Sequence, residues 1–565
     1  MITKEYEVPK GLPKHTGSLC PECASIIDAE IIARDGKVWM VKDCPEHGHF
    51  EDVYFGDVDL YLKMEGYAKD GIGLLNPVYP DAVECPTDCG LCQMHKSHTV
   101  LANVDLTNRC NLKCPVCFAN ANMSGFIVEP SFDDVVAMLR NLRANRPVAT
   151  PSVQFAGGEP TVYPYFFEAV RAAKELGFAQ IQVATNGVML AEDPSFAQRC
   201  VEAGVHTIYL QFDGFDDEMY KAVRGKPMLA TKLKAIENVR KAKPTMSICL
   251  VPTVVNTVND HMVGDIVKFA LKNIDVIHAV NFQPVAFTGR IDKTELRQKR
   301  FTLAELVDRL TKQTDFLAKE DFFPVPSVTA FSELASAIKG DPKVAFTSHA
   351  HCGIATFVFM DEGQKPIPVT RFIDVPRLLR DVEKAAADIE GSHLKGVAKV
   401  RLLKFVVGNY VDKSKSPGGI GMTELLKSIY QEGDKKALAE FTWRSLMIGG
   451  MHFQDRYNYD IERVKRCVIH YAIPDGRIIP FCAYNSGPVF RDSVEKKLAM
   501  TNEQYREFRK VEEAKMAERR RTGVLVPKEV LDSVACDLPV AGNAWKEGDG
   551  TPPLARAGKR AARGR

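Results

Sequence analysis

Between residues 101 and 290 the chain alternates strand-like and helix-like segments, and this alternation restricts the fold more than any other feature of the sequence. Apolar strand candidates lie at 103–107, 152–156, 181–185, 207–213, 247–254 and 279–284. Amphipathic stretches at 132–142, 165–176, 194–203 and 228–242 fall between them. Strands joined through helices run parallel, with right-handed crossovers. The expected class is α/β, a partial (βα)6 barrel, and such folds place their chemistry at the carboxyl ends of the strands.

The polar motifs fall at those ends. Cys110, Cys114 and Cys117 follow the first strand at C-x3-C-x2-C spacing, with Phe118 next. Three thiolates this close can hold three irons of a 4Fe–4S cluster, leaving the fourth iron open to a small molecule. Gly157-Gly158-Glu159-Pro160 ends the second strand. Its glycines let the backbone approach a ligand closely, and Glu159 supplies an acceptor. Thr185-Asn186-Gly187 ends the third strand, and Gln211-Phe212-Asp213-Gly214 the fourth, followed by a run from Tyr220 to Arg224-Gly225. Asp213 suits a ribose hydroxyl, a neighbour in need of orientation, or a turn or helix cap. Pro252-Thr253-Val254 and Gln283-Pro284 end the last two strands, where ligand contact competes with simple strand termination.

The remaining cysteines matter because a chain of 565 residues with fifteen cysteines and no apolar leader is expected in the cytoplasm, where thiols stay reduced and bind metals. Cys20-Pro21-Glu22-Cys23 and Cys44-Pro45-Glu46-His47 make two knuckles suited to a tetrahedral Cys3His site for zinc or mononuclear iron, with His49 as the fallback ligand. Cys85, Cys89 and Cys92 repeat the C-x3-C-x2-C spacing. Spacing alone does not choose between the two triplets; the strand context favours Cys110–Cys117. Cys352, Cys467 and Cys482 are scattered, the last two on a hairpin read across 468–482, and they could meet in a further cluster site or complete the Cys85–Cys92 set. Cys200 and Cys249 read as core fillers, and His452 as a satisfied polar residue. A strand is possible at 404–410, a solvated charged helix is expected at 503–521, and a disordered basic tail at 548–565. A net charge of +2 gives no support for a nucleic-acid surface, and no stretch is apolar enough to span a bilayer.

The expected divisions are a metal-binding N-terminal zinc-ribbon or rubredoxin-like unit at 1–75, a connector at 76–100, a barrel at 101–290, a C-terminal auxiliary-cluster and substrate unit at 291–500, and a charged helix with tail at 501–565.

Taken in order, the motifs resemble the radical S-adenosylmethionine (radical SAM) superfamily. That resemblance implies that the open iron held by Cys110, Cys114 and Cys117 chelates S-adenosylmethionine. It also implies a cofactor cradle of Phe118, Gly157, Gly158, Glu159, Pro160, Thr185, Asn186, Asp213 and Gln283, and hydrogen abstraction from unactivated carbon. The knuckles, the second triplet and the run from Asn108 to Asn120 look like the tetraether lipid synthase group, archaeal enzymes with bacterial relatives, over most of 15–490. This closer resemblance implies carbon–carbon coupling of lipid chains. It assigns Cys85, Cys89 and Cys92 to one auxiliary iron–sulfur cluster and Cys352, Cys467 and Cys482 to another. A ferredoxin or flavodoxin-type electron donor and transient contact with a membrane surface are the expected partners. The alternatives are methyl or one-carbon transfer to a small heterocycle such as a pterin, and an iron–sulfur electron carrier without turnover. A carrier needs no cofactor cradle, which weighs against it.

Overall fold

The computed structural model describes residues 10–122, 124–242, 246–292, 294, 296–391, 410–412, 414–417, 444–486 and 490–535. Cys536, most of the strand read at 404–410 and the tail at 548–565 lie outside them.

The chain opens with an antiparallel meander of β1 (Lys14–Leu19), β2 (Ile26–Arg34), β3 (Lys37–Cys44) and β4 (Gly48–Phe55). Asp35 and Gly36 both take positive φ between β2 and β3, the geometry that a two-residue hairpin of right-twisted strands requires. Val38 and Met40 alternate inward on β3 and are fully buried.

The second sheet holds β5 (Leu101–Thr107), β6 (Ser152–Gly157), β7 (Gln180–Thr185), β8 (Thr207–Gln211), β9 (Ser247–Val251), β10 (Thr253–Val254) and β11 (Ile277–Pro284). From the C-terminal part come β12 (Phe323–Pro324), β13 (Gly353–Met360), β14 (Pro366–Pro368), β15 (Ser445–Met451), β16 (Ile469–Ala472) and β17 (Ile478–Pro480). The order is β12-β13-β15-β11-β9-β8-β7-β6-β5-β16-β17, with β10 on β11 and β14 on β13. The strands from β5 to β9, with β11, run parallel, as the alternating pattern requires, and give the expected α/β class. Beyond the six strands expected for the barrel, β15 pairs parallel with β11, and β16 pairs parallel with β5 while forming the expected hairpin with β17. The sequence Ser-Leu-Met-Ile-Gly-Gly-Met of β15 hides its role, because its glycines lower strand propensity. A Cβ on Gly450 would lie 2.5 Å from the Leu306 side chain, so glycine is needed for close helix packing there.

The two faces of this sheet differ in character. Val104, Phe155, Val183, Leu210, Leu250 and Phe282 are fully buried in one core with the covering helices, among them Phe132–Arg143 and Val263–Lys272. The alternate positions are polar and bonded to one another. Gln182 Nε2 donates to Gln154 Oε1 at 2.8 Å, and Gln154 Nε2 donates to Asn103 Oδ1 at 2.6 Å. Asn281 and Gln283 both donate to the Tyr209 hydroxyl, Gln283 at 3.2 Å. The face turned away from the helices therefore carries a belt of amides.

The charged helix expected at 503–521 forms as Asn502–Thr522, but one side of it is docked rather than solvated. Met516 is buried in the main core, Glu512 accepts the Phe132 amide at 2.9 Å, and Arg520 pairs with Glu168 at 2.6 Å. Its inward positions, Tyr505, Phe508, Glu512 and Met516, are interrupted by a buried carboxylate, while apolar Val511 faces outward, so the apolar pattern does not announce the docked side. Among the described residues no helix is long and apolar enough to cross a membrane.

Candidate active site and metal centres

The loop leaving β5 carries Cys110, Cys114 and Cys117, all half-buried. It is held against the end of β6 by Gly158 N to Thr107 O at 2.7 Å and Glu159 N to Arg109 O at 2.9 Å. A Cβ on Gly157 would sit 2.4 Å from Thr107 O, and one on Gly158 the same distance from Arg109 O. These glycines therefore admit the cysteine loop itself, where the sequence suggested room for a ligand. From the other side Arg290 exchanges backbone hydrogen bonds with Cys117 and donates from Nε to Cys114 O at 2.7 Å.

Two carboxylates expected at the cofactor are committed within the protein. Glu159, almost fully buried, accepts from Thr161 N, Thr161 Oγ1 and Thr185 Oγ1 on one oxygen and from Asn186 N on the other. It ties the ends of β6 and β7 together. Burial raises its carboxyl above the ordinary range, against these hydrogen bonds. Asp213, fully buried, receives Arg224 through Nε at 2.7 Å and Nη2 at 2.9 Å, together with Thr253 N at 3.0 Å. Asp213 thereby fixes the Arg224 guanidinium, which matches the neighbour-orienting role among those expected for it. Arg224 in turn donates to Val116 O, between two of the cysteines, at 3.2 Å.

Lys232 escaped the sequence reading because it occupies one more polar position on the amphipathic helix Leu229–Lys241. Its ammonium is buried and donates to two neutral acceptors, Asn186 O at 2.5 Å and Gln211 Oε1 at 2.6 Å. Burial pushes its pKa down to about 7. Asn186 Nδ2 reaches Cys110 Sγ at 3.8 Å and Asn111 Oδ1 at 2.6 Å. A polar network thus runs beneath the cysteine loop from Glu159 through Asn186, Lys232, Gln211 and Asp213 to Arg224. Phe118 packs on Phe481 and Phe453 at ring distances of 5.3 and 6.0 Å. Gln283 serves the Tyr209 hydroxyl, and Pro160 opens a 3-10 turn capped by Glu159.

Burial pushes the Cys110 thiol up to about 12 and raises Cys114, the latter opposed by Arg224. Thiols in this setting ionise when a cation binds them, and three on one loop suit an iron–sulfur cluster with one open iron.

In the meander, ligand atoms of Cys20, Cys23, Cys44 and His47 all lie within 4.8 Å of one another. Cys23 and Cys44 sulfurs are 3.9 Å apart, and His47 Nδ1 lies 3.8 Å from Cys20 Sγ and 3.5 Å from Cys44 Sγ. A metal–sulfur bond of about 2.3 Å gives tetrahedral edges of about 3.8 Å, so the set fits a single ion. The fallback ligand His49 turns away to Asp43. The hydrogen bond from His47 holds the Cys44 thiol down at about 6.

No other group of three potential ligands is this tight among the described residues. Cys352 precedes β13, Cys467 precedes β16 and Cys482 follows β17, and their thiols interact electrostatically with one another. Cys89 feels Cys85, Cys92 and also Cys467. Fully buried Tyr459 faces members of both sets. Arg463 Nε donates to Cys352 Sγ at 3.4 Å, and Gln454 N to Cys482 Sγ at 3.3 Å. The fold thus gathers both scattered sets into one region. His452, expected to be satisfied, has its Nε2 buried without a hydrogen bond.

The profile of the radical SAM superfamily matches residues 104–270, and that of the HMPTM N-terminal zinc ribbon domain matches 12–56. The 7,8-dihydro-6-hydroxymethylpterin dimethyltransferase of Methanocaldococcus jannaschii is 45% identical over 88% of this chain and 98% of its own. A probable GTP 3′,8-cyclase of Sulfurisphaera tokodaii is 25% identical over 37% of this chain and 71% of its own. The solved structure of Streptococcus suis SuiB aligns over 39% of this chain and 46% of that one, at 18% identity and a TM-score of 0.31.

Proposed function

The chain belongs to the radical SAM superfamily, among members with an N-terminal zinc ribbon, and from that premise we propose that it transfers a methyl or one-carbon unit to a pterin-type heterocycle. The observation that carries the reading is the 45% identity to a pterin dimethyltransferase over nearly the whole of both chains. The amide belt supports it. A flat polar ring exchanges hydrogen bonds with amides, whereas an alkyl chain laid on them would strip their water without replacement. The lipid-coupling reading suggested by motif order lacks such support.

In this reading Cys110, Cys114 and Cys117 hold the cluster that binds S-adenosylmethionine. Bound there, the cofactor pair supplies one-electron chemistry that removes hydrogen from unactivated carbon. The protein's part is placement. Glu159 fixes the β6 and β7 ends against the cysteine loop, Asp213 aims Arg224 at Val116 O, and Phe118 with Phe453 and Phe481 gives the site an apolar wall that keeps water out. The ribbon ion is structural. Cys85, Cys89, Cys92, Cys352, Cys467 and Cys482 hold further iron–sulfur clusters, fed by a small ferredoxin- or flavodoxin-type donor.

The test is an anaerobic incubation of cluster-loaded protein with a strong reductant, S-adenosylmethionine in excess so that it serves as one-carbon donor as well as radical source, and either 7,8-dihydro-6-hydroxymethylpterin or a lipid extract. Formation of 5′-deoxyadenosine together with a pterin heavier by a methyl group is expected. A coupled lipid product with unchanged pterin would replace this reading with lipid-chain coupling.

A further inference from the structure

Asp105 and Arg491 form an ion pair that leaves part of each partner unused. Arg491 Nη1 donates to Asp105 Oδ2 at 3.1 Å and to Glu495 Oε1 at 3.2 Å, and Nε donates to Asn485 at 3.0 Å. Arg491 Nη2 and Asp105 Oδ1 are both buried and have no hydrogen-bond partner. Arginine and carboxylate usually meet through two parallel bonds, so an offset pair with one donor and one acceptor left open asks for an explanation. The guanidinium lies over the rings of Tyr484 and Tyr471, 4.6 and 5.4 Å from their centres, which fixes its plane.

The location is informative. Asp105 points from β5 two residues before Thr107, on the same face as Asn103 of the amide belt. The pair lines a partly open cavity of about 30 Å³ whose other walls include Gly157, Gly158, Tyr471 and Tyr484. The cavity, also lined by Asn108 and Ala119 on either side of the cysteine loop, therefore adjoins the loop that carries Cys110. It is too small for a bicyclic ring and large enough for the edge of one.

Resting on the pterin-type reading, we infer that Asp105 and Arg491 recognise the lactam edge of the heterocycle. A lactam presents a carbonyl acceptor beside an N–H donor, the complement of Arg491 Nη2 beside Asp105 Oδ1. Tyr471 and Tyr484 supply flat apolar surface next to that edge. A single bridging water is the rival occupant, since it satisfies the same two atoms. It predicts that heterocycle affinity ignores the pair.

The experiment is fluorescence titration of cluster-loaded protein with 6-hydroxymethylpterin and with its 3-methyl analogue, in which the lactam N–H is capped. Wild type, Asp105→Asn and Arg491→Lys are compared, with iron content and cluster absorbance as the check on folding. Wild type is expected to bind pterin at least about tenfold tighter than the capped ring, and each variant to lose about tenfold in pterin affinity, because an unmet buried partner rejects a ligand strongly. Discrimination against the capped ring should shrink most in Asp105→Asn. Wild-type binding with unchanged affinity in both folded variants would overturn the pair's role and leave the pterin reading standing. Binding of neither ring and of no other lactam such as guanosine would overturn the proposal. If wild type bound another lactam such as guanosine, ignored pterin, and lost guanosine affinity in the variants, lactam recognition would stand and the pterin reading would fall.

Discussion

Glu159 has four donors on its two oxygens, and all four come from the loops it joins. Glu159→Gln would turn an NH2 group toward at least one of those donors, leaving a buried N–H unmet at a cost of about 1–3 kcal/mol. We expect a lower thermal midpoint and a KM for S-adenosylmethionine raised about tenfold, the factor that ~1.4 kcal/mol represents; steady-state assays of 5′-deoxyadenosine formation measure it. The motif was legible in the sequence. That its carboxylate is spent internally was not, because hydrogen-bond partners more than twenty residues apart leave no local pattern. Lys232 shows the same limit. Its pKa falls from 10.5 toward about 7 through burial, so between those values the unfolded chain binds the proton that the folded protein releases. Stability therefore gains from this group as pH rises through that window, and below pH 7 the buried charge is a full penalty. Lys232→Met should flatten the response. From pH 7 to 9 the apparent melting temperature of wild type should rise relative to the variant, with a slope of at most about 1.4 kcal/mol per pH unit.

At the scale of elements, the six parallel strands could be read because each is an apolar run closed by a polar motif, a pattern local to about ten residues. Strand β15 could not, since glycine-rich Ser445–Met451 acquires strand character only from its neighbours, whereas β16 was legible as half of a hairpin with β17 but not as the neighbour of β5. The meander was legible for a different reason. Its ligands come in two turns, Cys20–Cys23 and Cys44–His47, and the antiparallel pairing of β2 and β3 brings those turns together. An ion held there is expected to bind independently of iron held by the cysteine triplets. Cys44→Ala or His47→Ala should therefore lower zinc content to a fraction of one equivalent while iron per chain stays within error, whereas His49→Ala should change neither. Elemental analysis of the purified variants decides this. Zinc retained in full after loss of His47 would return the fourth position to His49.

Across the whole molecule, the ribbon is fastened to the sheet through charges that no sequence window contains. Arg300, between β11 and β12, bridges Asp52 of the ribbon and Asp455 of the loop after β15, with Nη1 to Asp455 Oδ2 at 2.7 Å. All three are buried, and Arg300 also lies over the Phe287 ring. Ser18 and Lys42 reinforce the seam by donating to the carbonyls of Tyr459 and Arg456, while Tyr54 donates to Asp460. The loop 452–460 therefore touches the ribbon on one side and, through Gln454 and Tyr459, Cys482, Cys85 and Cys89 on the other. Burial would raise both carboxyls. Asp52 is indeed raised, while the Arg300 guanidinium holds Asp455 below the ordinary range. Asp455 thus contributes stability above its unfolded pKa near 3.8, and loses it as pH falls below that value. Removing the cation is the sharper test. Arg300→Leu leaves two buried carboxylates facing each other, at a cost of about 3–5 kcal/mol. The variant should melt well below wild type at pH 7 and recover part of the difference at pH 5, where Asp52 more readily takes a proton. Combining Arg300→Leu with Asp52→Asn should restore more stability than Asp52→Asn alone removes, because the second change deletes the charge that the first exposed. If the two effects simply add, the carboxylates are solvated in the variant and the seam is held by the hydrogen bonds of Ser18, Lys42 and Tyr54 instead.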